Sequence, residues 1–192
     1  MRFLAISGSA RNLSTNTWML RAVAAVAPPG IEVEVFDAIG TLPVFSPDLE
    51  GDATPEPVRA FMRAIAASDG LIVSSPEYVR TIPGGLKNAI DWLVSGEAIV
   101  GKPVVLAHAS HRGDDMLATL RIVLSTVTQN FNDAIFLRFS VMTQTPDAIV
   151  ATVAASENRQ RVEDYLLAFA QFCRRCGAGD PARWGGGTWT VP

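Results

Sequence analysis

The chain has 192 residues, 48% of them hydrophobic, and its 16 Lys and Arg against 19 Asp and Glu give a formal net charge of −3. This length and apolar content predict one packed domain and exclude a disordered chain. The negative charge argues against sequence-independent binding to nucleic acid, and no stretch reaches the roughly 20 apolar residues of a membrane span, so we expect neither nucleic acid nor a membrane as partner.

Short apolar strands alternate with amphipathic helices through the first half of the chain. The predicted strands are 2–7, 31–37 and 70–75, and the predicted helices between them are 14–27 and 54–69. Ser14 and Thr54 are side chains of the type that caps helix N-termini, and Pro55 suits a first helical position. Strict alternation over 31–37 predicts a strand with one face less buried.

The second half repeats this order. Helices are predicted at 83–95, 114–131 and 156–176, with strands at 103–109 and near 134–137. Asp114 and Ser156 are the predicted caps of the last two helices.

Nearly continuous apolar strands joined by helices are typical of a parallel sheet covered on both faces. Five strands with five helices therefore favour an α/β, flavodoxin-like three-layer sandwich over residues 1–176, followed by a tail, 177–192, without periodicity. Such folds bind ligands outside the carboxyl ends of the strands. Loops 7–16, 74–83 and 109–115 are accordingly expected to converge on one crevice.

Two cysteines, Cys173 and Cys176, have the C-x-x-C spacing of redox and zinc sites. A zinc site would need two further ligands, and the histidines, His108 and His111, lie far upstream. A thioredoxin-like pair would stand at the start of a helix, whereas these cysteines follow a helix near the C-terminus. We therefore predict two reduced thiols and no metal site, and the lack of a secretory signal favours the cytoplasm.

The first loop, "SGSARNLSTN", joins the first strand to the first helix. Its hydroxyl and amide side chains and the positive end of the helix predict a cradle for a phosphate group, with Arg11 neutralising charge from the rim. No Gly-Lys-Ser/Thr follows, so the loop is no nucleotidase P-loop, and it is no G-x-G-x-x-G turn either. The structural alternative is that Ser14 only caps the helix.

The stretch "SSPEYVRTIPGGLKNAIDWL" (74–93) follows the third strand. Tyr78 offers a flat face and a phenolic hydroxyl beside a ligand pocket, and Glu77 requires a partner if it is buried. Pro83-Gly84-Gly85 allows a close approach of the chain before the next helix. The alternative is that Tyr78 covers the core and the glycines form a tight turn.

Both stretches together resemble the NAD(P)H-dependent FMN reductases of flavodoxin-like fold, a family that includes quinone, chromate and azo-dye reductases. "GSARNLSTN" (8–16) is similar to the family's Gly-Ser-x-Arg-x-x-Ser-x-Asn loop. "PEYVRTIPGGLKNAIDWL" (76–93) is similar to its Pro-Glu-Tyr-Asn-x-x-x-Pro-Gly-x-Leu-Lys-Asn-Ala-Ile-Asp-Trp segment, and the order of elements agrees through about residue 175.

The resemblance implies FMN as cofactor, NADPH or NADH as reductant, and a homodimer or homotetramer. It implies that the FMN phosphate binds at the first loop, where the candidate residues are Ser9, Arg11, Ser14, Thr15 and Asn16. It implies that the isoalloxazine lies on the second loop, largely against backbone groups of Pro76, Glu77, Tyr78, Val79, Arg80 and Thr81.

The chain departs from the family pattern at two places. Val79 stands where the family has Asn, and Arg80 adds a cation that either faces the crevice or points to solvent. The third loop, "HASHRGDDM", keeps Ser110 and Gly113 but carries charged residues where the family has a Ser/Gly-rich turn. His111 is predicted either to hydrogen-bond the flavin or to lie on the surface.

The predicted activity is hydride transfer from NAD(P)H to the flavin and then to a small oxidant such as a quinone, free flavin, azo compound or metal oxyanion. No catalytic side chain is predicted, because the flavin carries the chemistry. Two alternatives remain open: a flavodoxin-like one-electron carrier, and a non-catalytic member that binds flavin poorly or serves as a scaffold.

Overall fold

The computed structural model describes residues 1–11, 13–94 and 96–177, and over these ranges it has five strands and six α-helices. The strands are β1 (Arg2–Ser7), β2 (Glu32–Phe36), β3 (Gly70–Ser74), β4 (Val104–His108) and β5 (Phe131–Arg138). The helices are α1 (Thr15–Ala25), α2 (Glu56–Ala66), α3 (Gly84–Val94), α4 (Asp114–Val127), α5 (Pro146–Ala154) and α6 (Ser156–Gly177). The remainder of the predicted tail, 178–192, lies outside the described residues.

The five strands form one parallel sheet in the order β2-β1-β3-β4-β5. Strands β3 and β4 are buried at every position, as is β1 after Arg2, whereas the edge strand β2 alternates between exposed and half-buried residues. This is the pattern expected of a sheet covered on both faces. The predicted flavodoxin-like fold is confirmed.

Alternation along the strands divides the core into two layers. Phe3 and Ala5 of β1 face a cluster built with α1, α5 and α6, whereas Leu4 and Ile6 face one built with α2, α3 and α4. Each large apolar side chain that is fully buried in this way contributes about 1.5–3 kcal/mol. None of the described helices combines the length and apolar character needed to cross a bilayer.

Two predicted helices have wrong boundaries, and α2 also ends at Ala66 instead of 69. Helix α2 begins at Glu56 with Pro55 as its N-cap, because Thr54 closes a 3₁₀ turn, Gly51–Ala53, and Pro55 is still extended at ψ 146°. Helix α4 ends at Val127 instead of 131, because Thr128 turns to an extended conformation and its hydroxyl donates to the Lys102 carbonyl at 2.6 Å. Strand β5 therefore begins at 131, three residues before its predicted start.

Helix α5 was not predicted, although its start carries recognisable signals. Thr145 accepts a hydrogen bond from the Ala148 amide at 3.4 Å, and Pro146 occupies the first helical turn. The segment that follows is almost uniformly apolar, so it lacks the polar face that marks a surface helix. Ile149 and Val153 bury it against α1 and α6.

Neither cysteine is in a disulfide, as predicted, and the two thiols differ in environment. Burial raises the pKa of Cys173 to about 12, with Cys176 and Asp69 adding to the rise, whereas Cys176 is half-buried near the end of α6.

Because the thiolate is the reactive form, iodoacetamide at pH 8 should modify Cys176 at least about tenfold faster than Cys173. Peptide mass spectrometry of the native protein measures both rates. Equal rates would contradict this assignment, and a Cys176→Ser variant provides the control.

Candidate functional site

Three loops leave the carboxyl ends of neighbouring strands β1, β3 and β4 and enclose a cavity of about 310 Å³. Ten of the fourteen predicted site residues line it: Ser9, Arg11, Ser14, Thr15, Asn16, Pro76, Glu77, Tyr78, Ser110 and Gly113. Four residues that were not predicted also line it: His108, Ala109, Arg112 and Met142. Val79, Arg80, Thr81 and His111 do not line it. The sequence therefore located the crevice correctly but missed part of one wall.

The first loop delivers polar groups to the start of α1. Ser9, Ser14 and Asn16 are all less than a tenth exposed. Ser14 is the N-cap of α1, since its Oγ accepts from the Thr17 amide at 3.5 Å. Thr15 and Asn16 stand at the first two helical positions, whose amides have no carbonyl partner within a helix. The predicted cap is thus present, and it leaves backbone donors and the positive helix end facing the cavity.

Two side-chain hydrogen bonds hold the start of α1 against the sheet. The hydroxyls of Ser7 and Thr17 lie 2.8 Å apart, and the Ser74 hydroxyl donates to Asn16 Oδ1 at 2.8 Å. All four residues are buried. Because Asn16 Oδ1 accepts from Ser74, its Nδ2 is the arm left to donate. The cradle is therefore fixed to both β1 and β3, the strands on either side of the change in strand order.

The second loop is a tight hairpin with unusual backbone geometry. Tyr78 and Thr81 exchange both backbone hydrogen bonds at 3.0 Å, and Val79 and Arg80 between them have φ angles of 52° and 60°. Two positive φ angles are the signature of a type I′ turn, which favours Asn and Gly. A β-branched residue is strained in this region. Val79 is 96% exposed, so no packing within the described chain offsets the strain.

Replacing Val79 with Asn should raise the free energy of unfolding by about 1 kcal/mol, because Asn tolerates the left-handed region at a lower cost. Urea denaturation measures the change. Val44→Asn is a matched control, since Val44 is also exposed and its φ is not positive. A higher free energy of unfolding in both variants, or in neither, would contradict the argument from backbone strain.

Glu77 of the second loop caps a helix that belongs to the third loop. Its Oε2 accepts from the Met116 amide at 3.3 Å, in the first turn of α4. The N-cap of that helix is Gly113, which has no side chain to supply this bond and adopts a φ of 98°. The predicted cap, Asp114, is instead the first helical residue and pairs with Arg138 at 2.9 Å. A carboxylate from a distant loop therefore performs the capping.

Arg80 strengthens the same junction. Its Nε lies 2.6 Å from Asp115 Oδ2, and its side chain is 82% exposed. The hydrogen bond that Arg80 donates to Asp115 raises the pKa of the Arg80 guanidinium, so it stays charged. Of the two orientations considered for Arg80, the structure has the one that points out of the crevice. The second loop is thus joined to α4 by both Glu77 and Arg80.

The third loop turns a different histidine toward the cavity from the one predicted. His111 is exposed and does not line the cavity, whereas His108, at the end of β4, is 2% exposed and does. The apolar run of β4 gave no signal for this, because His108 stands at its last position, where the end of a strand cannot be told from the start of a loop. The surface alternative holds for His111.

Part of the matched second motif supports the site from outside the cavity. Asn88 accepts from the Phe45 amide at 2.8 Å and donates to the Pro43 carbonyl at 2.9 Å. The indole of Trp92 donates to the same carbonyl at 2.8 Å. These bonds fasten the segment after β2 to α3. The "NAIDW" part of the motif therefore has a structural role in this chain, since it does not line the cavity.

Comparison with known proteins supports the family resemblance that the two sequence motifs indicate. Residues 1–142 match the family described as NADPH-dependent FMN reductase. A quinone reductase of Escherichia coli is 34% identical over 113 residues, which is 57% of this chain and 60% of that protein. A 2-hydroxy-1,4-benzoquinone reductase of Burkholderia sp. is 42% identical over 92 residues, 48% of this chain and 49% of that protein. The matches thus span about half to three fifths of these relatives' length.

Solved structures share the fold. The flavoenzyme FerB, an NAD(P)H:(acceptor) oxidoreductase from Paracoccus denitrificans, superposes with a TM-score of 0.69 at 24% identity, covering 91% of this chain and 97% of that one. An oxidoreductase from Corynebacterium diphtheriae gives 0.59 at 23% identity, covering 91% and 98%. At these identities the likeness establishes the fold alone. The match over residues 1–142 establishes more: the chain belongs to the NADPH-dependent FMN reductase family.

Proposed function

We propose that this protein is an FMN-dependent oxidoreductase that takes a hydride from NAD(P)H and delivers two electrons to a small oxidant. The observation that carries the proposal is the cradle at the start of α1, where buried Ser9, Ser14 and Asn16 surround free helix amides. These groups suit a phosphate monoester, because they donate hydrogen bonds and the loop contains no cysteine that would attack it. Family membership supports FMN as the molecule that carries it.

The sheet order leaves room for an elongated ligand such as FMN. The sheet order places β4 two strands from β1, and strands are spaced about 4.8 Å apart, so a ligand anchored at α1 spans about 10 Å to reach the third loop. Tyr78, half exposed at the rim, offers an aromatic face beside that path. When bound, FMN supplies the hydride-accepting and electron-donating chemistry. The chain's own residues anchor the phosphate and orient the ring.

We further propose a quinone as the oxidant in preference to free flavin, an azo compound or a metal oxyanion. The support is that the relatives named above are quinone reductases, one of them specific in name for a hydroxybenzoquinone. The wall formed by Ala109, Tyr78 and Met142 is apolar enough to receive a planar, uncharged ring. We also propose that the enzyme works as a homodimer or homotetramer in the cytoplasm, where the unpaired Cys173 and Cys176 would stay reduced.

The test is a visible spectrum of the purified protein after FMN is added and excess is removed, followed by anaerobic addition of NADPH or NADH. Retained flavin absorbance that bleaches with one equivalent of reductant, and returns on adding a benzoquinone, supports the proposal. Retained flavin that NAD(P)H does not bleach indicates the one-electron carrier. A colourless protein indicates the non-catalytic alternative.

A further inference from the structure

Arg138, the last residue of β5, binds the third loop with every nitrogen of its guanidinium group. Its Nε donates to the Ser110 carbonyl oxygen at 2.7 Å, and its Nη2 donates to the Arg112 carbonyl oxygen at 3.1 Å. Its Nη1 pairs with Asp114 at 2.9 Å. The side chain is 30% exposed and does not line the cavity. One arginine behind the cavity wall therefore holds the third loop at three points.

The position of Arg138 is itself fixed by its neighbours. The parallel register of β4 and β5 places Arg138 beside His108. The Phe139 amide donates to the His108 carbonyl at 2.9 Å, and Arg161 of α6 donates to the Arg138 carbonyl at 2.9 Å. The guanidinium is a planar fork of donors with a set geometry. A fork that extends from a fixed strand end can therefore impose its geometry on the loop.

Two of these contacts set the direction of peptide groups. A trans peptide is planar, so its N–H points opposite to its C=O. Since the carbonyls of residues 110 and 112 turn toward Arg138, the amides of His111 and Gly113 point away from it. Neither amide donates a hydrogen bond to any residue that the structure describes. The loop thus keeps two backbone donors on the side opposite Arg138.

The cavity lies on that opposite side. Arg138 belongs to the edge strand β5, whereas the cavity is enclosed by the loops that follow β1, β3 and β4. Ser110 and Gly113 both line it. The Arg112 carbonyl oxygen is also held 2.6 Å from His108 Nε2, so this peptide is fixed from two sides. The third loop therefore meets the cavity with its donors already oriented.

Such donors suit the pyrimidine end of an isoalloxazine ring, whose edge carries two carbonyl oxygens. Backbone amides turned to one side form a concave site for electron-rich groups. Negative charge builds up on this edge when the ring takes up electrons. Amides directed at it therefore stabilise the reduced ring more than the oxidised one, because preorganised donors act most strongly where charge develops.

We propose that Arg138 is a positioning residue for the flavin: by holding the carbonyls of Ser110 and Arg112 away from the cavity, it keeps the amides of His111 and Gly113 directed at the carbonyl edge of the ring. This inference rests on the proposed function. It assigns a role to a side chain that belongs to neither sequence motif and does not line the cavity.

The experiment compares Arg138→Lys with the wild type. Lysine keeps the charge, but a single ammonium group cannot span two carbonyls and a carboxylate as the guanidinium does. Arg138→Lys should bind oxidised FMN and riboflavin about tenfold more weakly, in line with the loss of one or two hydrogen bonds, and dithionite-reduced FMN more weakly still. Flavin fluorescence measures the affinities, and equilibration with a redox dye should show a lower reduction potential of the bound flavin. Equal weakening of both redox forms would show a change of cavity shape alone and overturn the proposal.

Asp114→Asn is the matched control. It removes the carboxylate of the pair with Arg138 and leaves both carbonyl contacts in place, and Asp114 does not line the cavity. It should bind FMN within about twofold of the wild type, with the same reduction potential. An effect as large as that of Arg138→Lys would assign the role to the ion pair and overturn the proposal.

A measurement on the wild type alone covers the case in which Arg138→Lys does not fold. In ¹H–¹⁵N NMR spectra, riboflavin should shift the amide resonances of His111 and Gly113 and slow their exchange with solvent, whereas inorganic phosphate should do neither. Bound riboflavin that leaves both amides unchanged refutes the contact and leaves the proposed function standing. A wild type that binds neither FMN nor riboflavin refutes the proposed function as well.

Discussion

The Asn16→Asp variant should bind FMN at least about 100-fold more weakly than the wild type and bind riboflavin, which has no phosphate, with unchanged affinity. Asp is isosteric with Asn, and its carboxylate can still accept the Ser74 hydroxyl, 2.8 Å from Oδ1. The change therefore adds one negative charge to the cradle and replaces the donating Nδ2 by a second carboxylate oxygen. Two like charges about 4 Å apart repel by about 4 kcal/mol at an effective dielectric constant of 20. Fluorescence titration with both flavins measures the two affinities.

Stability provides the control for this variant. A carboxylate in the first turn of α1 interacts favourably with the positive helix end, so Asn16→Asp should unfold at the same urea concentration as the wild type or a higher one. Loss of FMN and riboflavin binding together would indicate a damaged cavity. Unchanged FMN affinity would place the phosphate elsewhere and remove the main support for the proposed function.

The second large effect is on the stability of the folded protein. Replacing Gly70 with Ala should lower the free energy of unfolding by about 3 kcal/mol, because a Cβ at this position would lie 2.5 Å from Phe169 Cζ and 2.9 Å from Cys173 Sγ. Both atoms belong to buried side chains of α6 that pack on the first residue of β3. Overpacking a filled core costs about 1–3 kcal/mol and sometimes more. Urea denaturation monitored by circular dichroism gives the value.

Gly84→Ala is the matched control for Gly70→Ala. A Cβ on Gly84 would meet no atom within 4 Å, and the residue opens α3, so alanine should be neutral or slightly stabilising there. Adding Phe169→Leu to Gly70→Ala should make the double variant less destabilised than the sum of the two single changes, since the shorter side chain makes room for the methyl group. Strict additivity would show that the ring and the methyl group do not compete for space.

The fold and the location of the crevice could be predicted from the sequence because both depend on local patterns. Apolar runs at 2–7, 70–75 and 103–109 have no competing interpretation, and parallel strands bring their carboxyl ends together. The helix start at Ser14 has a local side-chain signal. Helix α5 was not predicted because the segment after its N-terminal signals, Thr145 and Pro146, has no polar face.

The details of the site depend on contacts between distant parts of the chain, which no local pattern contains. Glu77 caps a helix 39 residues away, and this is why Asp114 could be mistaken for the cap. His108 and His111 differ by three positions, and only the end of β4 decides which of them turns inward. The positive φ angles of Val79 and Arg80 contradict the preferences of both residues, so the turn type could not be inferred from their identities.

The capping of α4 by Glu77 has a consequence for anyone who redesigns this protein. The hairpin loop and the start of α4 are a single part, because the carboxylate and the amide that receives it come from separate stretches of the chain. If residues 76–83 alone were grafted onto another doubly wound scaffold, the Glu77 carboxylate would lack its amide partner. If 108–116 alone were grafted, the start of the helix would lack its cap. Transplanted together, with Arg80 and Asp115 included, the two stretches would bring their own junction with them.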